Sequence, residues 1–147
     1  MKTPAGTIFT GFQLAETMNS AIDYIKKNNP EKSLLVLPEG LMFNFILKKD
    51  YPYFNTSFTP LDFDAYGETY LTERVLANLP DNILFLSRDY SDYGKTFLCK
   101  DFGLEFCTKI NDRYTFVRSF IGNHTLNKQN DPYYGYQMYL FERKTND

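Results

Sequence analysis

The residues best suited to chemistry are two carboxylates, each of which follows an apolar run. Glu39 comes after residues 33–37 and Pro38, and Asp89 comes after residues 82–87. If the two runs are neighbouring parallel strands, both acids reach the carboxyl edge of a sheet, where open α/β sheets bind ligands. Such a pair could act as general acid and base, as in glycoside hydrolysis, or could bind sugar hydroxyls or a cation.

Glu39 also has a purely structural alternative. Gly40 opens the next predicted helix, so free backbone N–H groups lie beside the Glu39 carboxylate. The helix dipole favours an acid at that position. We favour this structural role, because any α/β domain places some acids on this edge. The hydrolase is the least favoured interpretation.

Asn44 and Tyr93 complete the set of candidate binding residues. Asn44 lies within the apolar stretch 40–48, and a buried amide needs hydrogen-bond partners. We expect it to bond to the backbone of a neighbouring loop rather than to a ligand. Tyr93 lies in the turn 88–94, and aromatic residues make up 18% of the chain. That content fits a Phe-rich core with half-buried tyrosines, or a surface that stacks sugars or meets a membrane interface.

Several kinds of site are not supported by the composition. The single histidine, His124, lies in a polar stretch, and Cys99 and Cys107 lack the spacing of metal ligands, so we predict no metal. We interpret the cysteines as two small buried residues, since a disulfide would require an oxidising compartment. The net charge of -2, with no basic stripe, gives no support for nucleic acid. No phosphate-binding glycine motif is present, and we predict no cofactor.

Hydrophobic periodicity predicts four helices around two buried strands. Three predicted helices cover residues 13–28, 40–48 and 102–112, and another runs from a cap at Asp62 or Asp64 to Pro80, which ends it. A short edge strand is predicted at 7–10. Helices separate the two buried strands, 33–37 and 82–87, which is typical of a parallel βαβ crossover.

The last part of the chain has a different pattern. Residues 114–121 and 136–142 alternate between apolar and polar, and the polar stretch 122–135 joins them as a long hairpin. The sequence therefore predicts one α/β domain over residues 1–147. We expect a Rossmann-like layered fold, with a mostly parallel central sheet and an antiparallel C-terminal strand pair.

No apolar run approaches the roughly 18–20 residues that a membrane-spanning helix needs. The longest run, 41–47, is interrupted by Asn44. We therefore expect the chain, as given, to be a soluble piece.

The order of several segments resembles a known family. They are Thr-Pro-Ala-Gly-Thr-Ile-Phe-Thr at 3–10, Ala-Ile-Asp-Tyr-Ile at 21–25, Val-Leu-Pro-Glu-Gly-Leu-Met-Phe-Asn-Phe at 36–45, Asp-Ala-Tyr-Gly-Glu at 64–68, Asn-Ile-Leu-Phe-Leu at 82–86, Ser-Asp-Tyr-Gly at 91–94, Asp-Phe-Gly at 101–103 and Arg-Tyr at 113–114. Together they resemble the soluble C-terminal domain of bacterial membrane glycosyltransferases similar to dolichyl-phosphate-mannose–protein mannosyltransferases and the lipid A aminoarabinose transferase. The segment 36–45 is the most specific part.

The resemblance implies a multi-spanning enzyme, of the glycosyltransferase family 39-like GT-C type, that uses a polyprenyl-phosphate sugar donor. In such enzymes the catalytic acids lie on an extracytoplasmic loop of the membrane portion, so no catalytic residue is carried over to this chain. The implied location is the extracytoplasmic face of the bacterial cell membrane. The implied partners are the membrane portion of the same polypeptide and a glycan or lipid-linked sugar. The stretch 122–134 departs from the family, because it is longer than the usual tight final hairpin.

Three hypotheses follow from these observations. The leading one is a non-catalytic accessory domain of a membrane glycosyltransferase, and the second is a free-standing α/β carbohydrate-binding module. The third is a small hydrolase that depends on Glu39. The candidate binding residues are Glu39, Asn44, Asp89 and Tyr93.

Overall fold

The computed structural model describes residues 2–3, 6–8, 10–121 and 136–145. The helices are α1 (Phe12–Asn28), α2 (Leu41–Leu47), α3 (Pro60–Tyr66), α4 (Glu68–Ala77) and α5 (Leu104–Asn111). The strands are β1 (Lys2–Thr3), β2 (Gly6–Thr7), β3 (Leu34–Leu37), β4 (Asn82–Leu86), β5 (Tyr114–Ile121) and β6 (Gln137–Arg143). The predicted α/β class is confirmed.

Strands β3 to β6 form one mixed sheet in the order β3-β4-β6-β5. Strands β3 and β4 pair in parallel, as predicted. Strand β6 pairs antiparallel with both β4 and β5. The antiparallel C-terminal pair is thus confirmed, but the mostly parallel, Rossmann-like sheet is wrong. Because β6 inserts beside β4, the only parallel pairing among the described strands lies at one side of the sheet.

The burial of β6 explains why it lies inside the sheet. Met138 and Leu140 are fully buried on one face, and Phe141 packs against the hydrophobic cluster on the other. A strand covered on both faces is apolar on both faces. Strand β5 leaves Phe116 and Arg118 exposed, as suits a strand at the edge. Between these two residues the register of β5 against β6 shifts at a bulge.

The sheet is covered by helices on both faces, and alternation along β3 sorts its side chains between them. Leu35 and Leu37 join a cluster that includes residues of α3, α4 and α5. Leu34 and Val36 join a second cluster that includes residues of α1 and α2. All four β3 side chains are buried, which is why the run reads as continuously apolar.

The N-terminal strand prediction is only partly met. Gly6–Thr7 forms a strand, but it pairs antiparallel with Lys2–Thr3 in a separate two-stranded sheet, outside the main sheet. The rest of the predicted strand, at 8–10, is not a strand where it is described, and residue 9 lies outside the described residues. The stretch 122–135, including His124, also lies outside them.

The helix predicted between residue 62 and Pro80 is two helices, because Gly67 interrupts it with a φ of 83°. Helix α3 begins earlier than predicted, with Pro60 in its first turn and a capping box between Thr59 and Asp62. Helix α4 begins with Glu68, whose carboxylate accepts a hydrogen bond of 2.8 Å from the backbone N–H of Phe106. Glu68 therefore caps the first turn of α5, which fixes α5 against α4.

At the amino edge of the sheet, Asp81 ties β3, β4 and β6 together. Its Oδ2 atom accepts hydrogen bonds from the backbone N–H and the hydroxyl of Ser33, at 3.0 and 2.8 Å. Its Oδ1 atom lies 2.7 Å from Nη2 of Arg143. Burial raises the pKa of Asp81, but the hydrogen bonds from Ser33 and the charge of Arg143 outweigh it and hold the pKa below its ordinary value of 3.8.

Asp81→Asn should therefore lower stability in a pH-dependent way. A carboxyl whose pKa is lower in the folded state stabilises the fold above its unfolded pKa, and this contribution is lost as pH falls through the folded pKa. We expect the variant to have a lower Tm than the parent at pH 7, with the difference shrinking between about pH 4 and pH 2. Thermal melts across this range check it, with Asp64→Asn, exposed on α3, as the control. A Tm difference independent of pH would contradict this account.

Candidate functional site

The carboxyl ends of β3 and β4 form a corner with Glu39 at its tip. Phe58 donates a backbone hydrogen bond of 2.6 Å to the carbonyl of Pro38, and Glu39 forms an isolated antiparallel bridge with Ser57. The loop before α3 is thereby held against the end of β3. Gly40 is required here, because a Cβ atom would lie 2.5 Å from Cγ1 of Val36. The chain therefore enters α2 in close contact with the strand it has just left.

The Glu39 carboxylate forms an ion pair with Arg88, which follows β4. The two side chains are 30% and 53% exposed. The parallel pairing of β3 and β4 thus brings together the two segments that the sequence places at this edge. The group beside the Glu39 carboxylate is therefore the guanidinium of Arg88. A half-exposed pair of this kind contributes about 1 kcal/mol or less to folding.

Asp89 has a local role in the turn after β4. Its Oδ1 atom accepts a hydrogen bond of 2.8 Å from the backbone N–H of Ser91, at the start of the 3₁₀ turn Ser91–Tyr93. Short side chains of this type commonly organise turns in this way. With Arg88 against Glu39 and Asp89 bonded within its own turn, the geometry gives little support to the acid pair that a hydrolase would need.

Two tyrosines extend the corner. Tyr90 is buried and packs edge-on against Phe102, and the guanidinium carbon of Arg88 lies 5.2 Å from the centre of its ring. Burial raises the pKa of Tyr90 to about 12. Tyr93 is 52% exposed, with its ring centre 6.1 Å from that of Tyr90. We call Glu39, Arg88, Tyr90 and Tyr93 the edge patch.

Of the edge patch, sequence reasoning missed Arg88 and Tyr90. Both lie in the turn 88–94 that it singled out. The sequence signal that could have identified Arg88 is its position as a cation directly after the second strand. The hydroxyl of Tyr90 is buried and has no hydrogen-bond partner among the described residues. The edge patch therefore offers one exposed aromatic ring next to an ion pair and a buried, unsatisfied hydroxyl.

Asn44 lies below the surface. Its side chain is 1% exposed, and its Nδ2 atom donates hydrogen bonds to the carbonyls of Leu34, at 2.8 Å, and Asp50, at 3.4 Å. The predicted tie to the backbone is confirmed. Asn44 satisfies a carbonyl on the free side of β3, the edge strand. Its burial makes a direct ligand contact unsupported.

Replacing Asn44 with leucine should destabilise the fold. Asn44→Leu leaves the buried carbonyl of Leu34 without its donor, which costs about 1–3 kcal/mol of unfolding free energy. Urea unfolding measures the difference. Asn19→Leu, exposed on α1, is the matched control and should change stability by about 0.5 kcal/mol or less. Equal stability of the two variants would show that the hydrogen bond to β3 has no structural importance.

The interpretation of Cys99 and Cys107 as two small buried residues is wrong, because they form a disulfide and Cys99 is exposed. The chain between them turns back on itself: the N–H of Cys99 donates to the carbonyl of Phe102, and Gly103 adopts a φ of 64° before α5 begins. Helix α5 therefore starts at Leu104 rather than near 102. This places Cys107 within reach of Cys99, with their Cα atoms 5.4 Å apart.

The disulfide also borders an apolar cavity of about 80 Å³ between α5 and the sheet. Its lining includes Phe85, Phe106 and Phe141.

Within the described residues, no group of three or more His, Cys, Asp or Glu side chains could hold a metal ion. Over the same part of the chain, none of the helices has the length and hydropathy to cross a bilayer.

Comparisons with protein-family models, with curated proteins and with solved structures found no match.

Proposed function

We propose that this chain is a non-catalytic, extracytoplasmic accessory domain of a membrane glycosyltransferase that uses a polyprenyl-phosphate sugar. The proposal starts from the resemblance carried by residues 36–45. In the structure these residues build the corner at the end of β3, where Gly40 packs on Val36 and Asn44 bonds to Leu34. The segment with the most specific sequence thus occupies a tightly packed corner of the structure.

The Cys99–Cys107 disulfide is the observation that carries the extracytoplasmic part of the proposal. Disulfides persist in exported proteins and are rare in the reducing cytosol. By closing the short loop before α5, this one stabilises the fold by about 2–3 kcal/mol on the chain-entropy account. A domain with such a crosslink is suited to the outer face of a bacterial membrane.

The pairing of Glu39 with Arg88 supports the non-catalytic part. A glycoside hydrolase uses two carboxyl groups flanking the scissile bond, whereas the group that contacts the Glu39 carboxylate is the guanidinium of Arg88. Glu39 is therefore better suited to holding the corner together, or to contacting a sugar hydroxyl, than to proton transfer.

The first test of this proposal is the side of the membrane on which the domain lies. We expect a reporter enzyme that is active only after export to be active when fused after the last residue of the chain, in its natural reading frame. That frame should also encode many hydrophobic spans immediately before residue 1. Without reduction, a thiol-alkylating reagent should leave Cys99 and Cys107 unmodified, as measured by mass spectrometry.

The control for the crosslink is a protein with both cysteines replaced by serine. It should lose about 2–3 kcal/mol of unfolding free energy. The proposal would be contradicted if both cysteines were free thiols and if a reporter that is active only in the cytoplasm were active in the fusion. A natural gene of this length without hydrophobic spans would also exclude it.

A free-standing carbohydrate-binding module is the second candidate, and the exposed ring of Tyr93 in the edge patch favours it. A half-exposed tyrosine beside charged groups is a common way to hold a sugar ring, because the face stacks and the charges bind hydroxyls. In this function Tyr93 supplies the stacking face, and Glu39 and Arg88 the polar contacts.

The carbohydrate-binding candidate predicts that titration with a glycan panel shifts the NMR signals of Glu39, Arg88 and Tyr93. Tyr93→Ala should weaken binding of the glycan that shifts them by about tenfold, the equivalent of about 1.4 kcal/mol of stacking. Tyr66→Ala is the matched control, because Tyr66 is similarly exposed but lies on α3, stacked against Tyr70. If no glycan in the panel shifts the signals of Glu39, Arg88 or Tyr93, the result counts against the module.

A further inference from the structure

The two edges of the sheet differ in whether other residues form hydrogen bonds with their outward-facing backbone groups. At β3, Asn44 bonds to the carbonyl of Leu34, and Phe58 bonds to that of Pro38 just beyond the strand. At the opposite edge, β5 pairs with β6 on one side only, and no described residue forms a backbone hydrogen bond with its outer side. Among the described residues, the eight-residue edge strand Tyr114–Ile121 therefore has its outer side open to a further strand.

A groove of about 420 Å³ lies beside this open edge, between α1 and β5. It is lined by Ser20, Asp23, Tyr24, Lys27, Asn28 and Arg118. The guanidinium carbon of Arg118 lies 5.1 Å from the ring centre of Tyr24 and 5.7 Å from that of Phe120. The two rings fix the arginine at the groove while leaving it exposed.

The charge of this groove favours an acidic side chain. Arg118 takes part in none of the ion pairs among the described residues, and it is the only charged residue of β5. Lys27 adds a second positive charge, against the single negative charge of Asp23. A carboxylate entering the groove would therefore meet a net positive environment, where a charge-assisted hydrogen bond to a guanidinium is stabilising.

The other face of β5 is apolar at the same edge. Phe116 packs against Phe141 and is 54% exposed, and Ile121 is 47% exposed. Arg118 contacts Phe120 of the cluster on the α1 side, whereas Phe116 packs on Phe141 of the other cluster, because the bulge between Phe116 and Arg118 interrupts the alternation. Ile121 follows Phe120 directly and so lies on the same face as Phe116. An added strand would thus meet a cation on one face and apolar side chains on the other.

We propose that β5 binds an extended segment of another polypeptide by strand addition. The segment alternates acidic side chains, which face the groove at Arg118, with apolar side chains, which cover Phe116 and Ile121. Backbone hydrogen bonds supply the general affinity, and the alternating side chains supply the specificity. This surface shares no residue with the edge patch, so the inference is independent of the proposed function.

A second copy of the chain fits this edge less well. Antiparallel pairing of two β5 strands centred on Arg118, near the middle of the strand, would place Arg118 directly opposite its counterpart. Like charges in facing positions destabilise a strand pair. The acidic segment has the complementary charge instead.

The test uses the whole chain and a capped eight-residue peptide that alternates valine with glutamate, with a lysine-for-glutamate peptide as the comparison. We expect saturable NMR shifts along residues 114–121 with the glutamate peptide, and binding at least about tenfold weaker for the lysine peptide. Arg118→Glu should weaken binding of the glutamate peptide by about tenfold and strengthen binding of the lysine peptide. Arg74→Glu, on α4, makes the same change in net charge and should alter either affinity by no more than about twofold.

The comparison of the two peptides on the unmodified chain needs no variant, so the test survives if Arg118→Glu does not fold. Three results would overturn the inference. They are no shift along β5 at millimolar glutamate peptide, equal affinity for both peptides, and equal weakening by Arg118→Glu and Arg74→Glu. Self-association through β5, detected by sedimentation velocity, would assign the edge to a second copy and overturn it too.

Discussion

The parallel pairing of β3 with β4 is the interaction on which the rest of the structure depends. Its register places Leu34 opposite Asn82 and Leu37 opposite Phe85, and so sets what meets at each end of the two strands. At the amino end the chain continues into the Asp81 network with Ser33 and Arg143. At the carboxyl end it brings Glu39 to Arg88. A one-residue slip would move every buried side chain of β3 to the wrong face.

Several contacts together fix the conformation of the corner after β3. Gly40 leaves no room for a side chain against Val36, and Asn44 returns to the strand it follows to satisfy Leu34. These contacts fix the direction of α2 and also block the β3 edge. Asn44 therefore both stabilises the fold and keeps the β3 edge from pairing with another strand.

The edge patch and the β5 edge are two separate surfaces that each combine charged with aromatic or apolar side chains. The edge patch combines a half-exposed ion pair with the rings of Tyr90 and Tyr93, whereas the β5 edge combines Arg118 with exposed apolar side chains. The disulfide lies apart from both, where it closes the turn before α5. The domain thus carries two surfaces with different chemistry on a single sheet, and each can be tested without disturbing the other.

The sequence by itself determined the class of the elements, the two buried strands and their parallel pairing, and the edge of the sheet that Glu39 and the turn 88–94 reach. It also determined that Asn44 bonds to the backbone. These properties follow from local periodicity, from turn residues and from the cost of burying an unpaired amide. The tertiary structure alone decided the place of β6 beside β4, the choice of Arg88 over Asp89 as the neighbour of Glu39, and the Cys99–Cys107 bond. Each of these depends on how whole segments pack in space or on how a turn folds back. A strand with alternating polarity has the same local pattern at any position in a sheet. Periodicity along the chain therefore does not predict which strands it pairs with.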